Sequence, residues 1–482
     1  IVAFDTNKRR IRNVMLPVPL RVGQGARAVF ATDESPRGGT AELDAAKGSF
    51  GLVQSRHDRW ELLGPAGAVK KGKRAGGWCG LKDDRWGAYA GLRDFWRQYP
   101  GELEVCRDTI HLHLYPPRAV DPLDFRPSTV LGADYPGDHC FHGPFYTEGL
   151  DEMTQGYGLG KTHNIHLNFF ASRDAERARN ATRAQTVKPV LTLPDPAYSC
   201  STEALFGRMH PRDPERFPDV EKLIDSVVGT YYNQRESHEQ YGWIDFGDVH
   251  NTGGLWRRWA SMFYGFPNVM PRLYLRSGQR EAWDFHRVNS RHITDIDICH
   301  LDNDTFPDFG RISLKKEKGR RYGGNGSIVH YGADQYRIGC DHHLEFMLLD
   351  YYLNGNLRVW EVANDYVSVH ANAREHGIPM VSYEHRHTGG ALRFFTKAYQ
   401  ATWNLEYLSI MRQCADLLYQ AWEQDGATRR DDVYMNPAKI LYYQITGEER
   451  MRDLFLNDMA VLSRQRDLYG SSSGGRGATL SG

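Results

Sequence analysis

Tyr351-Tyr352-Leu353-Asn354-Gly355-Asn356-Leu357-Arg358 is the stretch whose reading decides the architecture of this chain. An apolar, aromatic run ends in glycine, and a second periodic run begins almost at once. Glycine just past a helix end takes the left-handed conformation without a Cβ penalty, so the stretch predicts a helix, its stop and a second helix folded back on it. Leu344, Met347, Leu348, Tyr351 and Tyr352 recur at helical spacing before the glycine, and Val359, Ala363, Tyr366, Val367 and His370 recur after it. The same logic returns in Leu273-Tyr274-Leu275-Arg276-Ser277-Gly278-Gln279-Arg280 and in Tyr443-Gln444-Ile445-Thr446-Gly447-Glu448-Glu449-Arg450. Behind Gly447 the stripe is Met451, Leu454, Phe455, Met459 and Leu462, and a further helix carries Leu405, Leu408, Met411, Leu418 and Trp422. Helical hairpins of this size cannot bury their apolar faces alone, so neighbours must stack, as a solenoid or closed into a ring.

Toward the N-terminus the period changes from 3.6 to 2. Ile110-His111-Leu112-His113-Leu114-Tyr115 and His163-Asn164-Ile165-His166-Leu167-Asn168-Phe169 alternate strictly, and shorter strands are expected at 14–22, 51–53, 86–91 and 187–193. His111, His113 and His166 are expected on a solvent-facing side. Many short strands with Gly- and Pro-rich connections argue for an antiparallel β-sandwich. At 482 residues the chain is too long for one core. The expected fold class is therefore an α+β multidomain protein: a β-rich sandwich-like domain over 1–200, a linker over 201–219, an (α/α) toroid of helical hairpins over 220–468 and a flexible Gly/Ser tail over 469–482.

Lys plus Arg number 60 and Asp plus Glu number 60, so no global field attracts a polyanion and nucleic-acid binding is not expected. No apolar run is long enough to span a membrane. The 11 Trp and 26 Tyr offer flat apolar faces with polar edges, a composition suited to sugar rings. The seven Cys show no zinc spacing; they allow one or two disulfides and leave at least one thiol. Acceptor patterns for glycosylation at Asn180, Asn303 and Asn325 lead to an expectation of secretion or periplasmic location.

Three loops ahead of apolar helical stripes carry the residues able to do acid–base work. The first runs through Trp243, Asp245, Asp248, His250, Asn251, Arg257 and Arg258, where a helix expected from Thr252 would expose its first amides to an anion. The second holds Arg321, Tyr322, His330, Tyr331, Asp334 and Tyr336, then His342, His343 and Glu345. The third holds His385 and His387. Elimination at a uronic acid needs a group that neutralises the carboxylate, a base for the C5 proton and an acid for the leaving O4. The catalytic candidates are His250, Asn251, Tyr331, Tyr336, His342 and His343. The substrate-binding candidates are Trp243, Asp248, Arg257, Arg321, Tyr322, His330, His385 and His387. His342 and His343 point about 100° apart on a helix, which is not metal-ligand spacing, so no metal and no cofactor is expected. Asp248 with Asp334 or Glu345 would suit a hydrolase instead, and a carbohydrate-binding scaffold without a working base is the non-enzymatic alternative.

Arg93-Asp94-Phe95-Trp96-Arg97-Gln98-Tyr99-Pro100, Gly160-Lys161-Thr162-His163-Asn164, Tyr241-Gly242-Trp243-Ile244-Asp245-Phe246-Gly247-Asp248 and His342-His343-Leu344-Glu345 ahead of Gly355 together resemble the exo-rhamnogalacturonan lyase-like polysaccharide lyases. The resemblance implies a β-sandwich followed by an (α/α) toroid. It also implies β-elimination on an acidic polysaccharide such as rhamnogalacturonan or ulvan. Which residue is base and which is acid stays open at this point.

Overall fold

The computed structural model describes residues 10–35, 38–120, 123–124, 159–204, 207–249, 266–298, 300, 343–375, 385–425 and 436–469. They fall into two compact units. One collects the described residues up to 124 with Lys161–Thr192 and Gly229–Phe246; the other collects residues 159–160, Leu193–Val228 and the described residues from Gly247 on.

The first unit is an antiparallel β-sandwich. One sheet has six strands in the order β2 (Val14–Pro19), β11 (Thr109–Tyr115), β10 (Gly101–Cys106), β5 (Phe50–Arg56), β6 (Arg59–Gly64) and β7 (Gly67–Gly72). The other has five, β13 (Ile165–Ala171), β9 (Trp86–Leu92), β8 (Trp78–Lys82), β3 (Arg27–Ala31) and β4 (Thr40–Asp44), while β1 (Arg10–Ile11) pairs with β12 (Leu123–Asp124). Leu52, Leu103, Val105, Ile110 and Leu112 from the larger sheet meet Phe30, Leu81, Ala88 and Ala90 from the smaller in one buried core. The alternation of β11 is thus read correctly: its even-numbered residues face inward.

Two expectations fail here. Residues 187–193 form no strand; they follow α1 (Ala175–Thr186) as irregular chain. This helix buries Ala178, Thr182 and Thr186 at intervals of four, and Ala178 packs on Trp78, Tyr89 and Phe170 outside the sandwich core. A Cβ on Gly91 would stand 2.2 Å from Thr186 Cγ2, so glycine permits the close seat. Small residues make no apolar stripe, which is why periodicity misses the helix. Thr182 of the Asn180 acceptor pattern is buried there with its hydroxyl donated to the Ala178 carbonyl, unlike the exposed loop such a pattern requires. The second failure concerns the histidines. His113 is buried and His111 half-buried, and both rings face Glu104 on the neighbouring strand rather than solvent.

In the helical part, α2 (Pro196–Ser201) and α3 (Pro218–Ser237) precede four helix pairs. These are α4 (Phe266–Ser277) with α5 (Arg280–His292), α6 (Glu345–Asn354) with α7 (Leu357–Glu375), α8 (His385–Thr402) with α9 (Leu405–Asp425), and α10 (Asn436–Thr446) with α11 (Glu449–Tyr469). Gly278, Gly355 and Gly447 close their helices at φ 70°, 65° and 73°. Each donates its N–H to a tyrosine carbonyl four residues back, Tyr274, Tyr351 or Tyr443, at 2.8, 2.7 and 2.8 Å. The glycine reading therefore locates three hairpins. The fourth escapes it because Trp403 takes the left-handed position at φ 55°, donating to the Tyr399 carbonyl at 2.7 Å. Among the described cysteines, Cys79, Cys106 and Cys200 are free thiols. No described helix is long and apolar enough to cross a membrane. The Gly/Ser tail from 470 on lies outside the described residues.

Candidate active site

Three helices of the second unit bring charge together around one carboxylate. On α4, Asn268 and Arg272 stand four residues apart and so share a face; on α8, Arg393 and Lys397 do the same. Between them comes the first turn of α6, with Glu345 and, just before it, His343. Arg272 Nε donates to Glu345 Oε1 across 73 residues of sequence. Lys397 Nζ stands 3.7 Å and an Arg393 guanidinium nitrogen 4.0 Å from Oε2 of the same residue. The side chains of Glu345 and Lys397 are 2% and 4% exposed, those of Arg393 and Arg272 17% and 29%, so the cluster is closed at its base and reaches solvent through the arginines.

The electrostatics follow from that burial. Loss of water alone would raise the Glu345 pKa, but Arg272 and Lys397 outweigh it and hold the carboxyl down at about 2. Burial pushes Lys397 down to about 7; Glu345 pulls the other way, and the two neighbouring guanidinium groups add to the fall. Burial also lowers Arg393. At neutral pH the cluster holds two permanent cations, one anion and a lysine able to give up or take a proton.

His343 is fixed beside this cluster. Asn268 Oδ1 accepts the Phe346 amide at 3.0 Å, which orients the Asn268 amide group, and its Nδ2 then faces His343 Nδ1 at 3.3 Å. Nδ1 is therefore the acceptor, and the neutral ring carries its proton on Nε2. In this tautomer His343 presents Nε2–H as a hydrogen-bond donor.

A second buried cluster lies at the start of the stretch that leads into His250. His292 closes α5, and a π-helical turn, Ile293–Asp297, follows it. Its Nε2 stands 3.3 Å from both Asp248 Oδ2 and Asp297 Oδ1. Asn289 Nδ2 donates to the Gly247 carbonyl at 2.9 Å, and Gly247, at φ 113°, has no room for a side chain: a Cβ would come 2.2 Å from the Val288 carbonyl. The residues preceding His250 are thus locked to α5. Burial works against the His292 cation, but the two carboxylates prevail and raise it from 6.5 to about 10. The folded protein holds this proton more tightly than the unfolded chain does. The stabilisation is therefore complete below about pH 6.5 and declines as pH rises toward about 10. Thermal unfolding between pH 6 and 10 is expected to show a decline in the wild type that is shallower in His292→Asn; equal slopes would contradict the assignment.

Of the residues singled out from sequence, His343 and Glu345 fall in the three-helix cluster and Asp248 in the His292 cluster. Trp243 belongs to the first unit, where it is buried, donates its indole N–H to the Leu114 carbonyl at 3.0 Å and lies under the Lys161 ammonium at 5.3 Å. His385 and His387 sit in the first turn of α8, outside the described side chains. His250, Asn251, Arg257, Arg321, Tyr322, His330, Tyr331, Asp334, Tyr336 and His342 lie outside the described residues, as does the helix expected from Thr252. Sequence reasoning missed Asn268, Arg272, Arg393 and Lys397. Their only signal was the spacing of four within each pair, which surface charges share.

Fold and site define a two-part protein, an antiparallel β-sandwich followed by a helical region with a buried charge cluster around Glu345. Comparison agrees for the first part: residues 42–184 match the family described as the PcRGLX-like protein central beta sandwich domain, a rhamnogalacturonan lyase-like relationship. Over 348 residues the chain is also 25% identical to the uncharacterized protein YetA of Bacillus subtilis (strain 168). That match takes in 65% of this chain and 36% of YetA, so the chain spans about a third of that relative's length.

Proposed function

We propose that this protein is a polysaccharide lyase that cleaves a uronate-containing polymer of the rhamnogalacturonan or ulvan kind by β-elimination, outside the cell or in the periplasm. The domains proposed are the sandwich over 1–200, a linker over 201–219 and helical hairpins over 220–468 closed as an (α/α) toroid. The observation that carries the reading is the charge balance at Glu345. With Lys397 in its neutral form, Arg272 and Arg393 exceed Glu345 by one positive charge, which one uronate carboxylate would match. Such a bound carboxylate acidifies the C5–H, and the Lys397 amine takes that proton. The C4–O4 bond then breaks as the C4–C5 double bond forms. His343 Nε2–H, or Tyr331 or Tyr336, protonates the departing O4. His250, Asn251, Arg257, Arg321, Tyr322, His330, His342, His385 and His387 remain proposed contributors to the same cleft.

Of the carboxylates named for hydrolysis, Glu345 and Asp248 fit that chemistry poorly. Glu345, held at about 2 among three cations, has no proton to give at neutral pH. Asp248 is fully buried against His292. The test is incubation with rhamnogalacturonan, ulvan and other uronate polymers while following the absorbance of the unsaturated uronate. Growth of that absorbance is expected with at least one polymer. New reducing ends without it would replace elimination by hydrolysis, and binding with neither product would leave a scaffold.

A further inference from the structure

The outer face of the six-stranded sheet carries a second group of functional side chains that the lyase reading does not use. In the β10–β11 register Glu104 lies directly opposite His111. Because side chains two apart on a strand share a face, Cys106 joins Glu104 on β10 and His113 joins His111 on β11. The contacts follow: His111 Nδ1 is 3.2 Å from Glu104 Oε2 and 3.6 Å from Cys106 Sγ, and His113 Nε2 is 3.1 Å from the same Glu104 oxygen. Glu104, Cys106 and His111 offer ligand atoms that all lie within 4.8 Å of one another.

We propose that Glu104, Cys106 and His111, with His113 on the same carboxylate oxygen, form a binding site for a divalent transition metal of the zinc class.

Three observations support this. The first is spacing. A tetrahedral zinc with bonds of about 2.0–2.1 Å to nitrogen and oxygen and about 2.3 Å to sulfur sets its ligands about 3.4 Å apart for N and O and about 3.6 Å apart for N and S. The His111–Glu104 N–O distance of 3.2 Å and the His111–Cys106 N–S distance of 3.6 Å approximate those edges. The second is the donor set, since mixed imidazole, thiolate and carboxylate ligands suit zinc and its neighbours, not magnesium or calcium. The third is the hydrogen bonding at His113. Its Nδ1 faces Asn13 Oδ1 at 2.9 Å and its Nε2 faces Glu104 Oε2 at 3.1 Å, so the ring, held from behind by Asn13, fixes the carboxylate from one side as the outer partners of metal-bound groups do. Ser49, donating to Glu104 Oε1 at 2.6 Å, orients the carboxylate in the same way. Side-chain exposures of 22% at His111 and 17% at Glu104 leave the group reachable from solvent. With the Asn13 amide turned over, the same residues would instead form a metal-free hydrogen-bond relay.

Titrating the untagged, chelator-treated full chain with Co2+, then displacing it with Zn2+, separates the two. We expect about one equivalent bound, visible d–d bands of tetrahedral intensity and a near-ultraviolet thiolate-to-cobalt band. Cys106→Ser should remove the thiolate band, and Cys106→Ser, His111→Ala and Glu104→Gln should each weaken binding at least tenfold. Circular dichroism confirms that each variant is folded, and Asp297→Asn monitors the His292 cluster. Binding unchanged in Cys106→Ser, His111→Ala and Glu104→Gln, binding lost only in Asp297→Asn, or no binding at all would overturn the assignment. The readout is spectroscopic, so it is independent of whether the chain is a lyase.

Discussion

Replacing Glu345 by Gln is expected to lower the unfolding free energy by about 3–5 kcal/mol, the cost of removing one partner from a buried charge cluster. The carboxylate holds Arg272, Arg393 and Lys397 together, and the amide leaves two guanidinium groups facing one another, with Lys397 pushed further toward its neutral form, in a site closed at its base. Urea unfolding at pH 7 measures the loss. A second reading comes from acid titration. Because Glu345 is depressed to about 2, its stabilisation is present above its ordinary pKa near 4.5 and is lost as the pH falls toward 2. Glu345→Gln should therefore flatten that limb. Lys397→Met should cost less in the Glu345→Gln background than in the wild type, because the lysine has already lost its buried partner there; strictly additive losses would mean that Lys397 and Glu345 do not interact.

Replacing Lys397 by Met is expected to leave the protein folded and to reduce kcat on the cleaved polymer by about 10²–10⁴-fold, the usual contribution of a positioned base. In the wild type, kcat/KM should rise as the pH passes through about 7, where the Lys397 amine loses its proton. Lys397→Arg keeps the charge and shape but cannot act as a base near neutral pH, so it should be as inactive as Lys397→Met. Activity in Lys397→Met within about threefold of wild type would remove Lys397 from the mechanism. A lysine that only binds the uronate would instead be rescued by Arg and would show its effect in KM.

The helical hairpins were legible because their signal is local. A glycine at the left-handed position, with a tyrosine four residues back and an apolar stripe on each side, describes Gly278, Gly355 and Gly447 without reference to the rest of the chain. Trp403 shows the limit of that rule. The fold there tolerates a strained non-glycine residue, and nothing in its side chain announces the turn. Alternation likewise identified β11, because burying Ile110 and Leu112 forces the neighbouring residues to the opposite face. It failed for α1, whose buried residues are Ala and Thr and therefore carry no hydropathy contrast with the polar residues around them.

What the sequence determined by itself was thus the type of each strongly patterned element, the order of a β-rich part before a helical part, and His343 as a residue worth watching. Partners were decided only by the tertiary structure. His111 and His113 read as solvent-facing until the β10–β11 register put Glu104 opposite them. Arg272, Arg393 and Lys397 carried no distinguishing signal in the sequence, and only the closing of three helices on Glu345 brought them together. The physical reason is the same in both cases. Backbone propensity and hydrophobic period are set within a few residues, whereas the sign and strength of a charge interaction depend on which distant group is brought within a few ångströms and how much water is left between them.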